Sequence, residues 1–96
     1  MYGTLGRMKP KPGKLDELVA RLNDPKSAAM KGFRGSYLLV ADEGGEVVVA
    51  VMYEGKDAYF AMVHDDATDA NFHVLMTLLD GEPTWTDGEW IAGPSA

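Results

Sequence analysis

Side chains able to move a proton near neutral pH are scarce in this chain. The histidines are His64 and His73, both in one stretch of helical spacing, and either imidazole can act as a general base. Around them the sequence supplies an aromatic and basic set: Arg34, Tyr37, Tyr53, Tyr59, Phe60, Trp85 and Trp90. These types suit one chemistry in particular. An aromatic substrate that is deprotonated and then oxidised needs a dry cavity, flat walls to stack against, and a base or hydrogen-bond donor for its anion. We take Tyr37, Tyr53, His64 and His73 as the catalytic candidates. Arg34, Tyr59, Phe60, Met62 and Trp90 are the substrate-binding candidates. A plainer reading has His64 end a helical piece and His73 lie beside Phe72 on a half-exposed face, with the rings filling a core and a subunit seam. Met8, Met30, Met52, Met62 and Met76 serve under either reading, as adaptable pocket walls or as gap fillers.

Other chemistries are excluded by composition. The chain has no cysteine, so no disulfide, thiolate metal site or cysteine nucleophile is possible. The run Asp65-Asp66-Ala67-Thr68-Asp69 formally matches an acid cluster that holds magnesium and diphosphate in terpene-type enzymes. That chemistry needs a large helical cavity, which 96 residues do not build. Helix capping accounts for these acids better, and we expect neither a metal nor a cofactor. No Ser-His-Asp order, phosphate loop or dinucleotide fingerprint appears, and Gly44-Gly45 belongs to a hairpin. Fifteen acids against nine bases give a net charge of −6, which repels phosphate backbones. The local bases Arg7, Lys9, Lys11 and Lys14 read as a solvated strand end. The first residues lack a secretory pattern and the longest apolar run is seven residues, far short of the roughly 20 that span a bilayer. The expectation is a cytoplasmic protein without nucleic-acid or membrane partners.

The elements that must position the candidates follow from the pattern. Val47 to Tyr53 and Tyr37 to Ala41 are apolar runs that hold five valines between them and flank Asp42-Glu43-Gly44-Gly45-Glu46, which predicts an antiparallel hairpin. Tyr2 to Lys9 reads as a first strand, interrupted by Gly3 and Gly6, and Pro10-Lys11-Pro12-Gly13 ends it. Leu15, Leu18, Val19 and Leu22 form one apolar helical stripe. Pro25 to Lys31 is a second short helical piece, with Asp24 as its cap, and Gly32 precedes a strand over Phe33 to Ala41. A second helical region carries Ala58, Tyr59, Met62 and Val63, then Phe72, Leu75, Met76 and Leu79, with Asp80-Gly81 as its stop. The last strand, about Thr84 to Ala92, sets Trp85 and Trp90 either side of a turn-like Asp87-Gly88.

Strand, helix, strand, strand, helix, strand is the ferredoxin-like α+β order, one domain over residues 1–96 with both helices on one face of a four-stranded antiparallel sheet. The unbroken valines require the other face to be covered too, since soluble monomers seldom expose so large an apolar patch. A second copy packed sheet to sheet covers it, so the chain is expected to be a homodimer. The segments Lys11-Pro12-Gly13-Lys14, Gly32-Phe33-Arg34-Gly35-Ser36-Tyr37-Leu38-Leu39 and Tyr53-Glu54-Gly55-Lys56-Asp57-Ala58-Tyr59 resemble the antibiotic biosynthesis monooxygenase-like domains of the dimeric α+β barrel superfamily. The C-terminal Leu78 to Trp90 is similar to an actinobacterial branch of unassigned role. The resemblance implies one pocket per subunit between sheet and helices. It implies a cofactor-independent monooxygenase of a small aromatic or polyketide-like molecule, with two alternatives: a non-catalytic dimer binding a small ligand, or a haem-binding or haem-degrading protein using His73. The haem-degrading relatives carry an Asn on the first strand, where this chain has Gly6-Arg7.

Overall fold

The computed structural model describes residues 1–95. Its elements are β1 (Tyr2–Met8), α1 (Leu15–Leu22), a 3₁₀ turn (Pro25–Ala29), β2 (Phe33–Val40), β3 (Val47–Tyr53), α2 (Lys56–Val63), α3 (Asp66–Met76) and β4 (Thr84–Glu89). The strands form one antiparallel sheet in the order β2-β3-β1-β4, the ferredoxin-like arrangement.

Register decides which residues share a face. Gly6 pairs with Val49 on one side and Trp85 on the other, and Met8 pairs with Val47. Side chains alternate along a strand, so Thr4, Gly6, Met8, Val47, Val49 and Val51 all point to the helix side. There Met8, Val47 and Val49 meet Leu18 of α1 and Leu75, Leu78 and Leu79 to make the core. The hairpin closes as its sequence predicts: the Gly44 N–H donates to the Ala41 carbonyl at 2.7 Å, with Gly44 at φ 72°.

Two expectations are corrected. The last helix ends at Met76 and not near Asp80-Gly81. The Thr77 hydroxyl folds back onto the Val74 carbonyl at 2.6 Å, and the chain then bridges to the first strand's end. Lys11 N–H donates to the Leu78 carbonyl, and Asp80 N–H to the Lys9 carbonyl. Leu78 and Leu79 therefore reach the core from this bridge, although their spacing mimics another helical turn. Second, β4 runs straight through Asp87-Gly88, because Asp87 pairs with Thr4 and Gly88 with Gly3 in an unbroken ladder.

The two glycines of β1 are seats for the two tryptophans. At Gly6 a Cβ would press into the Trp85 ring on the helix face. At Gly3 a Cβ would collide with the Val51 carbonyl and the Trp90 indole on the opposite face. Trp90 lies across that seat and its Nε1–H donates to the Val51 carbonyl at 2.9 Å. The opposite face also carries Tyr37, Leu39, Val48, Ala50 and Met52, with Tyr37 75% and Leu39 67% exposed in the single chain.

Candidate functional site

The helices do not close down on the whole sheet. Between β1, β3 and β4 below and α1, α2 and α3 above lies a cavity of about 760 Å³. Its walls are mainly apolar. Val63, Phe72, Val74 and Trp85 are large apolar side chains that remain more than a third exposed, and all of them line this chamber. Part of their exposed surface faces this half-open hollow, as apolar walls do in ligand pockets.

The break between α2 and α3 builds two of the walls. Asp65 adopts an extended backbone and its carboxylate accepts the Ala67 N–H at 2.8 Å, so the acid cluster begins with a helix cap. The chain turns there, and α2 contributes Tyr59, Met62 and Val63 while α3 contributes Ala70, Asn71 and Val74. Among the described residues no group of three or more potential ligands converges to hold a metal ion.

The chemistry concentrates at Tyr59. Its ring is 5% exposed and its hydroxyl donates to Asp87 Oδ1 at 2.8 Å. Burial pushes this phenol up to about 12, and the Asp87 carboxylate, which accepts its proton in the bond, adds to the effect; the Thr4 hydroxyl opposes it. Thr4, also buried, donates to the Thr86 carbonyl at 3.2 Å. Tyr53 is likewise raised by burial. Both phenols are thus held neutral at physiological pH, as donors and not as bases. Asp87 supplies the acceptor. Neighbouring rings support the pair: Tyr53 and Phe60 stand edge-on to Tyr59 at centroid distances of 6.1 and 5.2 Å, and Tyr2 lies tilted against it at 5.3 Å.

The candidates read from the sequence divide by location. Tyr53, Tyr59 and Met62 line the chamber together. Phe60 buttresses it through Tyr2 and Tyr59. Tyr37 and Trp90 stand on the opposite sheet face. Arg34 lies in the open, 3.4 Å from Glu54. His64 follows the end of α2, and His73, 73% exposed, pairs with Asp69 at 3.5 Å; neither lines the chamber. A haem ligated by His73 would rest on open helix surface, so these residues do not fit a haem pocket. Sequence reasoning missed Thr4, Asp87 and the lining role of Asn71. Asp87 stands two residues from Trp85 and shares its face only because the strand continues through a pair whose sequence reads as a turn.

A ferredoxin-like sheet with an aromatic chamber under its helices is the class this fold and site define. Residues 1–70 match the model of the antibiotic biosynthesis monooxygenase family, and the chain belongs to that family. Solved structures share its fold. A Mycobacterium tuberculosis protein is 21% identical over 96% of each chain, with a TM-score of 0.79. A candidate antibiotic biosynthesis monooxygenase from Nitrosomonas europaea is 15% identical, covering 96% of this chain and 100% of that one, at a TM-score of 0.81. A further Nitrosomonas europaea protein, of unknown function, is 19% identical over 97% and 91%, at 0.76. No curated protein matches the chain.

Proposed function

We propose that this protein is a cofactor-independent monooxygenase of a small aromatic or polyketide-like substrate, working as a homodimer joined through the open sheet face. The observation that carries the reading is the mainly apolar chamber with a buried phenol at its floor, Tyr59 bonded to Asp87 at 2.8 Å. A phenol or hydroxylated polycycle stacks among Phe72, Trp85 and Tyr53, with its hydroxyl at that locus. The Asp87 carboxylate takes the substrate's acidic proton. Tyr59, a neutral donor, steadies the anion that results. The electron-rich anion passes an electron to O₂, the radicals combine at the ring carbon, and the peroxide loses water. One oxygen atom ends in a new carbonyl and the other in water, and the substrate carbon supplies every electron that O₂ takes up. No further reductant is required because the substrate is itself the reductant.

Oxygen uptake with a panel of anthrones, naphthols and hydroquinones tests this. Asp87→Asn is expected to lower turnover by roughly 10²–10⁴-fold, the range for a lost general base. Silence of the wild-type protein across the panel, alongside measurable binding of the same compounds, would leave a non-catalytic ligand-binding dimer as the better account.

A further inference from the structure

The chamber has a second polar group, formed where α1 and α3 approach. Arg21 comes from α1, Asp24 and Lys26 from the segment after it, and Asp69 and Asn71 from α3. The two carboxylates keep their charge but turn to partners of their own: Asp24 accepts the Lys26 backbone N–H at 2.9 Å, and Asp69 lies 3.5 Å from His73, a charge pair only when that imidazole is protonated. The cations are not matched in the same way. Arg21, half-buried, donates only to the neutral Asn71 Oδ1 at a long 3.3 Å, and among the described residues neither Arg21 nor the Lys26 ammonium has an ion-pair partner. A guanidinium carries donors in a planar fork, so a single long bond to an amide leaves most of its donor capacity unused at the chamber's rim.

We propose that Arg21, aided by Lys26, binds a carboxylate on the chamber's ligand, so that the ligand class is a phenolic acid whose hydroxyl and carboxylate lie at opposite ends of a flat frame. The proposal rests on the reading that an aromatic hydroxyl docks at Tyr59 and Asp87. A carboxylate offers two coplanar acceptors that match the fork, and it displaces Asn71 from Arg21 on entry. The overall charge of −6 gives an anion no general attraction to this protein. Any preference for an acid over its neutral ester must therefore come from local cations.

Calorimetric titration with p-coumarate and with its methyl ester tests the idea without any turnover. The wild-type protein is expected to bind the acid about tenfold more tightly than the ester, the gain of one charge-assisted bond. In Arg21→Gln that ratio falls to about one, and Arg21→Lys, a point charge without the fork, restores part of it. Asn71→Ala removes the competing acceptor and is expected to raise the acid's affinity a few-fold, a gain that misfolding cannot mimic. Equal binding of acid and ester by the wild type, no binding of either, or an acid preference that survives Arg21→Gln would overturn the proposal. Acid preference without oxygen uptake would refute the monooxygenase reading alone, and uptake with no acid preference would refute this one alone.

Discussion

Tyr59 owes its state to its surroundings: a phenol carried by α2, buried against the sheet and bonded to a carboxylate, keeps its proton well beyond the ordinary range. Linkage gives this a measurable consequence. A pKa raised in the folded state means that the fold holds the proton more tightly than the unfolded chain does. The resulting stability is complete below pH 10, the ordinary tyrosine value, and drains away as pH climbs towards about 12. Denaturant titrations across that window are expected to show a loss of stability that is clearly smaller in Tyr59→Phe. An identical loss in the variant would mean that the proton sits elsewhere. At this scale the sequence was partly legible. Aromatic residue types revealed Tyr53, Tyr59 and Met62 as pocket material, because large rings and a flexible thioether are what such walls are made of. Asp87 stayed hidden, since Asp-Gly is also the commonest turn signal and nothing local distinguishes a strand that tolerates it. The histidines drew attention through their intrinsic pKa, yet position decides function, and both stand outside the chamber.

Elements are legible where periodicity is strong and a single structure satisfies it. The stripe of Leu15, Leu18, Val19 and Leu22 gave α1, and the valines gave β3. The end of α3 was not readable because Leu79 keeps helical spacing while a non-local bridge to Pro10 claims it. Gly3 and Gly6 marked close approach by something, and only the fold reveals that each accommodates a tryptophan on its own side of the sheet. Two outcomes follow at this level. Gly6→Val drives a branched side chain into Trp85 and Val49, and is expected to cost about 1–3 kcal/mol, with a changed Trp85 emission. Unaltered emission and stability would mean that the ring is free to move aside. Asp65→Ala removes the cap that starts α3 and is expected to cost about 1 kcal/mol in urea titrations, loosening the wall that carries Asn71 and Val74.

Over the whole molecule, apolar surface is distributed on both sides of one sheet. One side becomes core and chamber. The other leaves Tyr37 and Leu39 at 75% and 67% exposure, an arrangement that favours association of two copies. Light scattering at micromolar protein is expected to give twice the chain mass, and Leu39→Glu to shift it towards the single chain, since an isolated charge is costly to bury in a seam. A monomer mass for the unmodified protein would leave this face without the occupant proposed for it. The overall topology was legible because six elements in this order admit few alternatives; the size of the chamber was not, because it depends on where helices stop short of the sheet. The most direct measurement is mass spectrometry of the product formed from an anthrone under isotopically labelled O₂. The account predicts one labelled oxygen atom in the product carbonyl, labelled water as co-product, and near-complete loss of both in Asp87→Asn. Product carrying no label, or formed equally well by that variant, would contradict it.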